Sequence, residues 1–353
     1  MKTIKHVSIA KASQTLKLCM SFGLLMSTAV MAQDIHFSQF DETPLQLNPA
    51  NAGVQNDVRA IINHRNQWQA VGSPYKTFAA SCEFKLLKGK KNHLGIGIDF
   101  FNDKAGDAQL GSNQANLSLS GIVPLSSKSL LSGGLMCGFA QRSMKFDNLT
   151  WGNQYNGMSY DANLATREPG NGGSFTYLDL GAGVQYSYGT DEMYISANNT
   201  RKVNIGFSFF HPHQPVYSFY ENNSQNLHMK MVFHGSASIG LGNTPLILKP
   251  SYIVFVQGGT KEITPGITMQ YVLQEGSKYT KNKNPAAFSL GGYYRTMDAF
   301  IATAKFEFSN YAIGFSYDVN LSKLRTITST KGGFEISLRF IAPAAFGTSR
   351  ARI

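Results

Sequence analysis

The 353-residue chain is short of most features that mark a soluble enzyme. Charged residues make up only 15% of it, against roughly 25% in an ordinary soluble domain. Three cysteines are too few to staple a chain of this length, which excludes a disulfide scaffold. Glycine is plentiful but shows no three-residue period, which excludes collagen, and the 12% aromatic content excludes a disordered chain. No stretch matches a Walker A segment, an H-E-x-x-H helix, a C-x-x-C pair or a G-x-S-x-G elbow. After the first 32 residues no apolar run reaches the length of a membrane-spanning helix. A protein of this composition that resides in a membrane must therefore be a closed barrel, since only helices and barrels satisfy every backbone group in lipid.

The N-terminus reads as an address. Lys2, Lys5, Lys11 and Lys17 precede the apolar run Leu18–Met31, which ends in Val30-Met31-Ala32. This basic, apolar, small-residue order predicts a signal peptide over residues 1–32, cleaved before Gln33. Cys19 stands at the start of the apolar run, the wrong end for a lipoprotein signal. The net charge of +11 is scattered rather than gathered in a stripe, so no nucleic-acid partner is expected.

What the mature chain has in abundance is alternation with a period of two. In GGFEISLRF, Phe334, Ile336, Leu338 and Phe340 point one way and Glu335, Ser337 and Arg339 the other. Fourteen such runs are predicted as strands: Val58–Trp68, Tyr75–Leu87, His93–Phe101, Gln114–Leu125, Ser129–Arg142, Ser174–Tyr186, Lys202–Phe210, His228–Leu241, Leu246–Gln257, Glu262–Leu273, Ala286–Thr296, Ala299–Phe308, Tyr311–Asn320 and Gly333–Ile341. Pro250 and Pro265 make the ninth and tenth the weakest, because proline forfeits a ladder bond. Runs of about ten residues suit a tilted membrane strand. The second face, rich in Gly, Ser, Thr and Asn with single charges, suits a polar lumen. The expected fold is all-β, an antiparallel transmembrane barrel of about 14 strands over residues 58–341.

An even barrel places both termini in the periplasm, so the odd-numbered connections face outward. These include Ser143–Gly173, His211–Leu227, Asn102–Asn113 and Leu321–Gly332. Gln33–Asp57 is expected either to lie in the periplasm or to fold back as a plug, and 342–353 to trail as a C-terminal tail. Cys82 and Cys137 fall on the apolar face and are expected to be free. His211 and His213 in FHPHQP, and Asp103 and Asp107 in FNDKAGDAQ, read as turns rather than metal sites. Inward charges, among them Arg65, Glu83, Asp99, Arg142, Asp179, Arg295, Lys305, Glu307, Asp318, Glu335 and Arg339, are expected to pair across the lumen. Closure of first strand on last brings Arg65 to Glu335.

Several motifs together resemble the PorP/SprF family of type IX secretion system outer-membrane proteins. QDIHFSQFDETPLQLNPANAG resembles the family's opening, with its NPA-x-AG signature at Asn48, Pro49, Ala50, Asn51, Ala52 and Gly53. HRNQW is similar to Y-R-x-Q-W through Arg65, Gln67 and Trp68, with His64 standing where an aromatic is common. SPYKTF, NDKAG with Asp103 and Gly106, NLTWGNQY with Leu149, Gln154 and Tyr155, HPHQP, GGYYR with Arg295, SYDVNLSKL with Tyr317 and Asp318, and GGFEISLRF with Glu335 follow in order, spanning residues 33 to 340. The resemblance implies an outer-membrane barrel that is not an enzyme and carries no cofactor. It implies a role in holding a secreted adhesin-like cargo at the cell surface through the cargo's C-terminal sorting domain, with other secretion components as further partners. The loop aromatics Trp151, Tyr155, Tyr160, Tyr217 and Tyr220 are the candidate cargo contacts. The alternative is a channel or transporter for small or hydrophobic solutes.

Overall fold

The computed structural model describes residues 34–342, apart from 69–72, 89–91, 147–148, 168–171, 191–192, 195–196, 199, 221–224, 276–283, 323–327 and 329. The expected signal peptide and all but the first residue of the expected tail lie outside the described residues.

Alternating side chains put the strands in order. They are β1 (Val58–Gln67), β2 (Tyr75–Lys88), β3 (His93–Ala105), β4 (Leu110–Pro124), β5 (Ser129–Lys145), β6 (Gly172–Thr190), β7 (Met193–Tyr194), β8 (Ala197–Asn198), β9 (Arg201–Phe210), β10 (Lys230–Gly240), β11 (Leu246–Gln257), β12 (Thr260–Gln274), β13 (Ala286–Arg295), β14 (Ala299–Phe308), β15 (Tyr311–Asn320) and β16 (Lys331–Ala342). The two-residue strands β7 and β8 pair with each other outside the barrel sheet, and Asn198 of β8 also bridges to Gly242. The other fourteen form one closed antiparallel barrel, sealed where β1 meets β16 in continuous register from Val58↔Ala342 to Gln67↔Gly333. Closure matters physically, because an open edge in hydrocarbon would leave a row of unbonded N–H and C=O groups.

The outward face is what a bilayer requires. Ile98, Leu119, Leu135, Leu178, Val184 and Leu290 stand more than half exposed, a surface that water would penalise and acyl chains accept. Aromatics gather at both ends of this band. Tyr75, Tyr294, Tyr317 and Phe334 lie toward one end, and Tyr188, Tyr271, Phe308 and Tyr311 toward the other, as headgroup girdles do. Cys82 and Cys137 are free.

The two strands that proline made weakest are present as expected, and two differences from the sequence reading have identifiable causes. The prolines do not break their strands, since β11 and β12 pair through them, Pro250 with Ile267 and Pro265 with Tyr252. The β10–β11 ladder skips Lys249 and Pro250, and the β12–β13 ladder starts only after Pro265. Each missing donor thus falls where the sheet is locally unpaired. Asn102–Asn113 is not a loop but mostly strand, turning over 106–109 with Gly106 and Gln109 at positive φ. Its polar residues hid the pattern, because above the hydrocarbon neither face of a strand need be apolar. For the same reason β5 and β6 run further than expected, and the connection between them narrows to 146–171.

Candidate functional site

Residues 35–57 run inside the barrel. Thr43-Pro44 opens a single helical turn, Pro44–Leu47, with proline at a first-turn position where its missing N–H costs nothing. Asn48 then caps a second turn, Pro49–Asn51, its Oδ1 accepting from Ala50 N at 2.9 Å. Phe40 and Leu47 bury against Met136, Phe210, Val232, Ile253, Tyr293 and Ile301 of the wall, and Val54 against Ile122 and Leu130. The inward face is therefore part apolar core, not a wholly wet lumen.

Asn48 is fully buried and spends its amide on the wall. Nδ2 donates to Val184 O at 3.0 Å and Phe207 O at 3.3 Å, and lies 3.2 Å from His234 Nε2. Val184 and Phe207 sit on β6 and β9, so one side chain ties the segment to two strands. The approach depends on glycine: a Cβ on Gly183 would run into Asn48, and one on Gly134 into Ala50. Ser208 Oγ donates to Leu47 O, Ser120 Oγ donates to Ala52 O at 2.6 Å, and Gly53 N donates to Glu83 at 3.1 Å.

Charged side chains hold the start of the segment. Arg65, only 1% exposed, reaches Asp318 at 3.0 Å and Glu335 at 4.0 Å and donates to His36 O. Arg295 meets Asp318 at 3.3 Å and Glu262 at 3.4 Å, and donates to Ser38 Oγ at 2.9 Å. The Glu335 carboxylate accepts from Ser38 N at 2.8 Å and Gln39 N at 3.2 Å. Ser38 Oγ in turn donates to Asp318 at 2.7 Å. A second group lies further along. Glu42 binds Lys305 at 2.6 Å and Arg339 at 2.8 Å, and Lys305 also reaches Asp41 at 2.7 Å. Burial by itself raises the Glu42 pKa, but Arg339 and Lys305 hold it down at about 2. Arg59 pairs with Glu83. The contacts come from β1–β6, β9–β11 and β13–β16, nearly the whole circumference. Toward the terminal end a cavity of about 430 Å³ remains, lined in part by Arg59, Lys249, Tyr252 and Arg339.

Of the motif residues, Asn48, Pro49, Arg65, Arg295, Asp318 and Glu335 converge on this segment. Others do not. Tyr317 points outward into the apolar band, and Trp68, at φ 55°, packs edge-on against Tyr75 where β1 ends. Gln67 is half-buried at the same strand end. Asp103 accepts from Thr77 at 2.7 Å, and Gly106 turns the β3–β4 hairpin. Among the expected inward charges, Asp99 and Asp179 are joined through Asn116 and Gln114, and Asp179 also holds His211 at 2.6 Å. Sequence reasoning missed Ser38, Glu42, Arg59, Glu262 and His234. Strand parity could have found Arg59, which shares the inward face of Arg65, and Glu42 is one of only three acids in residues 35–57.

The outward loops have their own architecture. Gln154 is buried; its Oε1 accepts from Trp151 N at 3.2 Å and its Nε2 donates to Leu164 O at 3.3 Å. Trp151 packs edge-on against Phe146. Tyr155 and Tyr160 form an antiparallel bridge and both stay exposed, with Met158 between them 93% exposed. Tyr217 is more enclosed, edge-on to Phe175 at 5.5 Å and beneath Arg142 at 5.2 Å, whereas Tyr220 is open.

Among solved structures the chain is similar to the translocator domain of the autotransporter NalP from Neisseria meningitidis, at 12% identity over 86% of this chain and 96% of that one, TM-score 0.37. It is also similar to BamA from Haemophilus ducreyi lacking POTRA domains 1–3, at 10% identity over 81% and 70%, TM-score 0.41. A third is the P. putida toluene transporter TodX, at 9% identity over 84% and 93%, TM-score 0.41. No curated protein matches the sequence significantly. Residues 29–340 match the type IX secretion system membrane protein family PorP/SprF, and the chain belongs to that family, as a β-barrel of the bacterial outer membrane.

Proposed function

We propose that this barrel anchors a secreted cargo protein at the cell surface, gripping the cargo's C-terminal sorting domain with its outward loops. Family membership implies association with the membrane and with other components of the secretion system; the cargo contact is the further step. One observation carries it: the lumen is occupied by residues 35–57, bonded to strands around nearly the whole wall, while the loops opposite the termini expose Tyr155, Met158, Tyr160 and Tyr220. A filled lumen suits a holder better than a conduit, and exposed aromatics with a rigid backbone are what interfaces concentrate.

The test is deletion of residues 149–167 in the full chain. Surface retention of the cargo is lost, while heat-modifiable migration of the folded barrel is kept. Cargo that stays on the cell surface after this deletion refutes the assignment. A planar bilayer addresses the alternative, since the anchoring reading expects no steady single-channel openings from the intact protein.

A further inference from the structure

Strand β6 is the longest in the barrel at 19 residues. On one side β5 accompanies it from Gly172 to Tyr188. On the other, β9 pairs with it only from Gly181 to Thr190. Beyond Gly181, toward the loop end, no strand among the described residues pairs with β6 on that side.

Residues of an antiparallel strand send N–H and C=O alternately to one neighbour and the other. Leu180 O accepts from His211 N at 2.9 Å, and Leu178 O meets His213 Nε2 at 2.9 Å, so the even-numbered residues face the unpaired side. Ser174 and Thr176 thus aim both main-chain groups past the end of β9, and Leu178 its N–H. The outward side chains change here from Leu180 and Leu178 to Thr176 and Ser174, so the stretch stands clear of the hydrocarbon and its backbone groups meet water. Natural edges are blunted by lysine, proline or a bulge. Ser174–Leu178 has none of these, and its register with β5 is unbroken. Behind it Phe175 lies edge-on to Tyr217 and, at 4.9 Å, to Phe219, an aromatic backing on the inner side.

We propose that the outer edge of β6, Gly173–Leu178, takes one extended strand of the secreted cargo by β-strand addition. This rests on the anchoring function above and names its mode of contact. The edge lies in water between the two long loops, so its occupant is a soluble polypeptide arriving from outside. Main-chain bonds to Ser174 and Thr176 supply affinity, the side chain of His213 gives way at Leu178, and every second side chain of the added strand packs toward Phe175 and Phe219.

The test uses the full chain in lipid nanodiscs and, as probes, the purified C-terminal domains of the proteins secreted by the same bacterium. A domain that binds should slow amide hydrogen exchange at Ser174 and Thr176 by about tenfold or more. Thr176→Pro removes an N–H that does not serve β5 and should raise the Kd about tenfold, as should Ser174→Pro, while Thr176→Val leaves it unchanged. Binding with unchanged exchange at these amides overturns the edge contact and leaves the anchoring function standing. Failure of every domain to bind the wild type overturns both. A wild-type dimer that Thr176→Pro dissolves assigns the edge to a second copy and overturns the proposal. Exchange is read on the wild type, so the result stands even if a proline variant fails to insert.

Discussion

Replacing Asn48 by alanine should loosen the luminal segment without opening the barrel. The side chain caps the turn at Pro49–Asn51 through Ala50 N and donates to two wall carbonyls and toward His234. Loss of the cap costs about 1 kcal/mol. Loss of the two hydrogen bonds to the Val184 and Phe207 carbonyls, which keep their ladder partners, adds about 1 kcal/mol each. The local opening equilibrium should then shift by about 3 kcal/mol, roughly a hundredfold. No strand–strand bond of the wall involves Asn48, so the barrel's own unfolding should change little. Hydrogen exchange of the purified protein reads this directly: amides over 44–54 should exchange roughly a hundredfold faster, with those of β1 and β16 unaffected. Asn48→Asp keeps the capping oxygen but sets a carboxylate against two carbonyl oxygens, and should be at least as loose. Unchanged protection over 44–54 in Asn48→Ala would refute the claim that this amide holds the segment.

Other outcomes follow from the same contacts. Arg65→Met takes from Glu335 its nearest cation and leaves Asp318 to Arg295 alone, and should lower barrel stability by about 2–3 kcal/mol, read as a lower urea midpoint. Gly183→Val puts a side chain where Asn48 lies, so the segment should become protease-sensitive while the barrel still migrates as folded. Glu42, held at about 2 rather than 4.5, contributes stability that is fully present above pH 4.5 and lost as the pH falls from there through 2. Protection of the segment should decline below pH 4.5, and Glu42→Gln should remove that part of the decline.

Much of this protein was legible in its alternation. Fourteen runs became fourteen barrel strands, and the Arg65–Glu335 pairing followed from closure alone, as the register of β1 on β16 bears out. The misreadings fell where alternation loses its meaning. Strand ends above the membrane, such as Asn102–Ala105 and Ser143–Lys145, have no apolar face to advertise. The runs holding Pro250 and Pro265 were rightly read as strands, though as the weakest, because a sequence does not say which neighbour a missing N–H would have faced. The resemblance marked Asn48 and Arg295 without saying what either touches.

Alternation in an even number of runs of about ten residues, with Gly, Ser, Thr and Asn on the second face, points from the sequence to a cylinder in lipid, because a two-residue period admits one apolar face and lipid tolerates no open edge. Parity assigns each residue to the inside or the outside and stops there. Which inward groups meet across the lumen depends on strand stagger and on residues 35–57, which no periodicity describes. Tertiary structure alone decided that Glu335 holds the backbone of Ser38 and Gln39, that Asn48 fits between Gly183 and Gly206, and that β6 outruns β9 to leave an edge in water.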